Sequence, residues 1–223
     1  MKYEALILDF DGVLIESEYV GNAQIADCLT RIGHPTTPEE AMKHFMGLAG
    51  RPFVEAIEKW IRRPLPDEFH RAREEEDART LAEGLEAVAG AIDFVEALPT
   101  GLPRAIASSS STEWIERHLD LLGVRHHFGD MIFSAREHVA RGKPAPDIYL
   151  HAAEAIGVAI ERVAIIEDSP VGVTGALASG GQVIGLCAGS HCLPGHSERL
   201  RALGVRHIAS SFEEAARLLG LRA

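Results

Sequence analysis

The chain has 223 residues, long enough for one sizeable core and a smaller second domain, with 46% hydrophobic residues and a formal net charge of −11. Gripping nucleic acid calls for a basic surface that displaces counterions from phosphates, so nucleic acid is excluded as an expected partner. A small anion is not excluded, because a few local cations and helix ends can hold one phosphate inside an acidic protein. The only early apolar run is about five residues long and stops at Asp9, and nothing elsewhere is long enough to cross a bilayer, so neither a signal peptide nor a membrane partner is expected. Three cysteines, Cys28, Cys187 and Cys192, are odd in number and without paired spacing, which suits a reducing cytoplasm.

Residues 4–8 read as a buried parallel strand. It ends at Asp9-Phe10-Asp11-Gly12-Val13. A helix is expected over 17–32, capped by Ser17, with Ile25, Leu29 and Ile32 on one face and Gly33 at its end. Up to residue 85 the pattern is helical throughout. Met42, Phe45 and Met46 mark one short helix. Phe53, Ile57, Trp60 and Ile61 mark another that ends by Pro64. Phe69, Ala72 and Leu81 mark a long charged one whose run Glu74-Glu75-Glu76-Asp77 reads as a solvated face.

The second half alternates. Strands are expected at 104–108, 131–134, 163–167, 183–187 and 206–209, and helices near 89–98, 112–122, 146–156, 170–179 and 211–219. Such alternation predicts an α/β fold, a doubly wound, Rossmann-like parallel sheet. Residues 1–15 and 87–223 would form it, with 16–86 inserted as a small helical domain.

Sites in a doubly wound sheet form at the carboxyl ends of strands. Asp9 and Asp11 end the first strand, a hydroxyl cluster from Ser108 to Thr112 ends the second, Gly142-Lys143-Pro144 precedes a later helix, and Glu167-Asp168-Ser169-Pro170 follows the fourth. Taken singly, each is ordinary: a strand-end Asp forms turns, serines make polar loops, a lysine is solvated, and Glu167-Asp168 can cap a helix. Taken together, the carboxylates would repel one another unless a hard cation with oxygen ligands joined them, and magnesium fits best. Lys143 and the Ser108 hydroxyl then supply donors for a phosphoryl group. Ser110-x-x-Glu113 reads as a capping box for the helix at 112, whose free N–H groups would also face an anion.

In this order the motifs resemble those of the haloacid dehalogenase superfamily of phosphohydrolases, over essentially the whole chain. Asp9-Phe-Asp11-Gly-Val matches the first motif, Ala107-Ser108-Ser109 the second, Lys143-Pro144 the third and Glu167-Asp168-Ser169 the fourth. The helical insertion looks like the family's small cap. The β-phosphoglucomutase-like branch is the most similar, particularly its sugar-phosphate phosphatases of the 6-phosphogluconate phosphatase kind.

The resemblance implies that Asp9 attacks phosphorus and forms an aspartyl phosphate. Asp11 would protonate the leaving oxygen and then activate water. Ser108, Ser109 and Lys143 would hold the phosphoryl oxygens. Asp9, Asp11 through its backbone carbonyl, and Asp168 would bind Mg2+, with Glu167 beside them or one step behind. An aspartate at position 11 favours phosphate esters over the dehalogenase and phosphonatase branches. Glu16 stands where this branch more often carries aspartate, at the hinge into the cap. The alternative is a phosphomutase, but its branch carries a histidine early in the cap helix, where this chain has Glu18-Tyr19-Val20-Gly21-Asn22. The expected partner is a small phosphorylated metabolite, and the expected assembly a monomer or weak homodimer.

Two features stand outside these motifs. His191, Cys192 and His196 lie in one stretch containing Gly189, Pro194 and Gly195; without a fourth ligand it reads as a plain surface loop rather than a zinc site. Gly47 and Arg51 fall in the cap. Arg51 either contacts a sugar hydroxyl, carboxylate or second phosphate, or merely opens a helix.

Overall fold

A computed structural model describes residues 3–46, 48 and 50–221. Gly47 lies outside the described residues. The chain divides into two compact units, residues 1–16 with 86–223, and residues 17–85.

The larger unit is built on a six-stranded, wholly parallel sheet. Its strands are β1 (Ala5–Leu8), β2 (Arg104–Ser108), β3 (Ile132–Ser134), β4 (Val163–Glu167), β5 (Gln182–Leu186) and β6 (His207–Ala209), in the order β3-β2-β1-β4-β5-β6. The expected α/β doubly wound fold is therefore present. Every residue of β1, β2, β3 and β4 is buried. That explains why these strands read as continuous apolar runs and not as alternating ones. Ala5 and Ile7 join Ala105, Val163, Ile165, Tyr149, Ala152, Val173 and Ala176 in one core layer. The last four come from helices near 147–155 and 170–179; Leu6 and Leu8, equally buried, point to the opposite face. The strand order reverses between β1 and β4, which pair in register with Leu8 opposite Ile166. A crevice opens beyond the carboxyl ends at such a switch point.

Among its described residues the smaller unit holds four helices, α1 (Ser17–Arg31), α2 (Pro38–Phe45), α3 (Gly50–Ile61) and α4 (Asp67–Glu83). They close over Ile25, Leu29, Phe45, Ile57 and Phe69. Thr37 caps α2 reciprocally with Glu40, and the indole of Trp60 donates to Thr36 Oγ1 at 3.2 Å. On α4, Glu74, Glu75 and Asp77 are exposed as expected, and Arg73 pairs with Asp77 at 3.0 Å. Ser17 does not cap α1: it is the first helical residue, and its buried hydroxyl has no hydrogen-bond partner.

The remaining helices of the larger unit are α5 (Ala91–Ala97), α6 (Thr112–Leu121), α7 (Asp147–Ala155), α8 (Pro170–Ser179), α9 (His196–Ala202) and α10 (Phe212–Leu219). Phe94 of α5 packs on Phe212 of α10 with ring centroids 5.0 Å apart. The sequence did not suggest α9. The cap of α6 is also one residue later than expected: Ser111, not Ser110, accepts from Trp114 N at 3.3 Å. No helix among the described residues is long and apolar enough to cross a membrane.

Candidate active site

Asp9 leaves β1 with its backbone N–H still bonded to Ile166 O at 3.0 Å, so the sheet itself places its carboxylate beside the end of β4. The turn that follows needs glycine at position 12. Its φ is +75°, and a Cβ there would lie 2.3 Å from Asp168 Oδ2. That close approach brings the β1 turn against the β4 end.

Lys143 reaches the same point from the loop before α7. Its side chain is 4% exposed, and Nζ donates to Asp9 Oδ1 and to Glu167 Oε1, both at 2.7 Å. Glu167 is wholly buried and saturated. Oε1 also accepts from Tyr149 Oη at 2.9 Å, while Oε2 accepts from the N–H and hydroxyl of Ser169 at 2.9 and 3.1 Å. Ser169 in turn caps α8 by accepting from Gly172 N at 2.9 Å. Asp168 is buried too. Its Oδ2 lies 2.7 Å from His191 Nε2, its backbone carbonyl accepts from His196 Nε2 at 2.7 Å, and its Oδ1 has no hydrogen-bond partner.

The electrostatics follow from burial and crowding. Burial first, then Glu167 and Asp168, raise the Asp9 carboxyl well above the usual range, with Lys143 only partly opposing them. Burial and Glu167 likewise raise Asp168 well above its ordinary value. Burial also opposes charge on Glu167, but the Lys143 ammonium and the Ser169 and Tyr149 donors outweigh it and hold that carboxyl low. For Lys143, burial works against the charge, and Asp9 and Glu167 overcome it, so the ammonium is held well above the usual lysine range.

Ionised together, these three carboxylates would exceed the Lys143 ammonium by two negative charges, and single oxygens of Asp9, Glu167 and Asp168 lie within 4.8 Å of one another. An unpartnered, buried Asp168 Oδ1 completes a donor set of the kind a hard divalent cation satisfies. The residues present fit magnesium.

Asp11 faces elsewhere. Its Oδ2 accepts from Ser110 Oγ at 2.7 Å and Ser108 Oγ at 3.1 Å, and its Oδ1 accepts from Trp114 Nε1 at 3.2 Å. Ser108 is fully buried and also accepts from Ser110 N at 3.0 Å. Ser108 and Ser110 of the hydroxyl cluster after β2 thus hold Asp11. Ser109 is exposed on the same turn and joins none of these bonds. Arg51 lies in the other unit, on α3, with its side chain 88% exposed and paired with Glu55 at 2.6 Å.

Two residues that the sequence does not single out complete this picture, Trp114 on Asp11 and Tyr149 on Glu167; two more take partners the sequence does not suggest, Ser110 on Asp11 and His191 on Asp168. The 189–196 stretch is no plain surface loop. His191 and His196 are buried, 2% and 5% exposed, because both turn inward onto Asp168. At the hinge, Glu16 accepts from the N–H of Ser190 at 3.0 Å and from its hydroxyl, so the longer glutamate is tied to this same stretch.

A doubly wound sheet with a lysine and a buried acidic cluster able to hold a metal ion at its switch point defines an α/β enzyme. The family model described as haloacid dehalogenase-like hydrolase matches residues 3–180. The chain belongs to that family of hydrolases. It is 28% identical to the 6-phosphogluconate phosphatase of Escherichia coli, over 86% of each chain. It is 33% identical to the phosphorylated carbohydrates phosphatase of Thermotoga maritima, over 79% of this chain and 82% of that protein. Among solved structures, a haloacid dehalogenase-like protein of unknown function from Agrobacterium tumefaciens superposes with a TM-score of 0.89, at 32% identity over 98% of both chains. A family hydrolase from Deinococcus radiodurans with bound phosphate and sodium gives a TM-score of 0.84, at 29% identity over 99% of this chain and 96% of that one.

Proposed function

We propose that the protein is a magnesium-dependent phosphatase that hydrolyses a small phosphorylated sugar or sugar acid through an aspartyl phosphate on Asp9. The observation that carries this reading is the meeting of Asp9, Lys143, Glu167 and Asp168 at one strand-end switch point. The names of the Escherichia coli and Thermotoga maritima relatives support the substrate class.

In this reading an oxygen of Asp9 forms a bond to phosphorus as the bond to the substrate's alcohol oxygen breaks. Asp11 gives that oxygen its proton. The resulting Asp11 carboxylate then takes a proton from water as the water oxygen attacks the phosphorus, and free phosphate leaves Asp9. Ser108, Ser110 and Trp114 hold Asp11 through both halves of the cycle. Lys143 neutralises phosphoryl oxygens, and Glu167, fixed by Tyr149 and Ser169, keeps the ammonium aimed at Asp9. Asp9, Asp168 and the Asp11 carbonyl would hold magnesium, which would offset the remaining negative charge and let a phosphate dianion dock. Ser109 is assigned to the phosphate from its place on the same turn, and Arg51 to the reading of the sugar by the helical cap.

The reading is tested by incubating the protein and Mg2+ with hexose 1-phosphates, hexose 6-phosphates and sugar-acid phosphates, following inorganic phosphate and positional isomers together. Phosphate release without isomer formation is expected. Stoichiometric conversion of one isomer to another, with negligible phosphate, would assign the protein to the mutases instead.

A further inference from the structure

Next to Asp168, whose carbonyl meets His196, stands a second group of ligands with different chemistry. The thiols of Cys187 and Cys192 and a ring nitrogen of His196 lie within 4.8 Å of one another. Two sulfurs on a tetrahedral zinc ion would be about 3.8 Å apart. The set is therefore gathered to within a small contraction of a metal-binding geometry.

Each ligand stands on fixed backbone. Cys187 follows β5 with its N–H bonded to Ala209 O at 2.8 Å. Cys192 closes a turn onto Gly189 O at 3.0 Å, and His196 opens α9 with its N–H on Leu193 O at 3.0 Å. Gly195, at φ +92°, supplies the left-handed turn that enters that helix. The ring of His196 has a defined tautomer. Nε2 faces the Asp168 carbonyl at 2.7 Å, a group that only accepts, so Nε2 carries the proton and Nδ1 keeps its lone pair. An imidazole whose second nitrogen donates to a carbonyl is the usual arrangement of a metal-ligating histidine. Both cysteines are free thiols and partly exposed, which gives an ion a way in, while His196 is buried.

We propose that Cys187, Cys192 and His196 form a second metal site, selective for a zinc-like cation, with a fourth position open to water or another small ligand. Two thiolates and an imidazole suit zinc and disfavour magnesium, which prefers oxygen, so the two sites sort their ions by donor type. Binding is not a redox step: each thiol gives up its proton, two protons leave to solvent, and the metal keeps its charge. The site adjoins the candidate active site without sharing a ligand. His196 holds the Asp168 carbonyl, and Cys192 Sγ lies 3.3 Å from His191 Nε2, which holds the Asp168 carboxylate. An ion there fixes the backbone and side chain of Asp168 at once. The inference stands independently of the phosphatase reading.

The test uses the full-length protein, stripped of metal, reduced with a non-chelating phosphine and kept in excess Mg2+, titrated with Co2+. One equivalent is expected to produce a thiolate-to-cobalt charge-transfer band with intense tetrahedral d–d bands, both bleached by one equivalent of zinc. Cys187→Ser and Cys192→Ser should each weaken binding by more than about a hundredfold, because even outer partners of metal ligands contribute ten- to a hundredfold. Cys28→Ser, altered in the separate helical unit, should bind as the unmodified chain does. Absence of the charge-transfer band in the fully reduced, unmodified protein would overturn the proposal, as would a band that survives both cysteine variants.

Discussion

Replacing Lys143 with methionine removes the ammonium that meets Asp9 and Glu167 while keeping most of the side-chain volume. Its two contacts, each 2.7 Å long, correspond to roughly 6 kcal/mol apiece of gross attraction at an effective dielectric of 20. Burying all three charged groups offsets much of that gain, and cutting one partner out of such a network costs a net of about 3–5 kcal/mol. Against a total stability of about 5–15 kcal/mol, the loss is a large fraction. Urea denaturation of the metal-free protein, followed by circular dichroism, measures it. With a slope of about 2 kcal/mol per molar urea, the midpoint should fall by roughly 2 M at neutral pH. The deficit should shrink in acid, because Asp9 and Glu167 then take up protons and no longer need the ammonium. Arg141→Met is the control: that arginine is 71% exposed, pairs with Asp147 at 2.8 Å, and should cost under about 1 kcal/mol. A Lys143→Met protein that unfolds within about 0.5 kcal/mol of the unmodified chain would refute the account of the buried network.

Three further outcomes are expected. Trp114→Phe removes the indole donor at 3.2 Å from Asp11 and should lower kcat about tenfold with KM and unfolding midpoint unchanged; an unaltered kcat would remove Trp114 from the positioning of Asp11. Gly172→Ala places a Cβ 1.6 Å from Glu167 Oε1, an oxygen that Lys143 and Tyr149 hold in place, and should cost more than about 3 kcal/mol, whereas Gly21→Ala, with nothing within 4 Å, should be neutral or stabilising. Asp9 and Asp168 have raised carboxyl pKa values in the fold, so the metal-free native state binds more protons than the unfolded chain, and its stability falls as pH rises from about 4 through those raised values. Magnesium replaces those protons, so the rise in Tm on adding Mg2+ should grow between about pH 5 and pH 8; a rise independent of pH would contradict the placement of the ion on these carboxylates.

Strands β1 to β4 were legible because each is buried on both faces and so carries a largely apolar run between turn residues, whereas β5 and the edge strand β6 are only partly buried, at Gln182 and at His207 and Ile208. Their observed ends fall within a residue of those read from the sequence. The four motif positions were legible because the topology delivers strand ends to one rim, a rule that needs no coordinates. What stayed hidden depends on distance across the fold. Trp114 looks like a packing residue on an amphipathic helix, and only the packing of β2 beside β1 shows its N–H meeting Asp11. Tyr149 is hidden in the same way, as an aromatic on a buried helix face whose hydroxyl finds Glu167. The run Ser108-Ser109-Ser110-Ser111 offers four equivalent hydroxyls, so the cap and the Asp11 ligands could not be told apart by spacing. Helix α9 was missed because HSERLRA is short and charged and buries only His196 and Leu200. With that helix unread, the burial of His196 and its approach to Cys187 had no visible cause.

The most direct test of the central claim is the Asp9→Asn substitution, which keeps the shape of the side chain and removes its nucleophilic oxygen. With Mg2+ and a phosphorylated sugar that the unmodified protein hydrolyses, phosphate release should fall by at least about ten-thousandfold while the circular dichroism spectrum is unchanged. An Asp9→Asn protein that turns over at a near-normal rate would contradict the account.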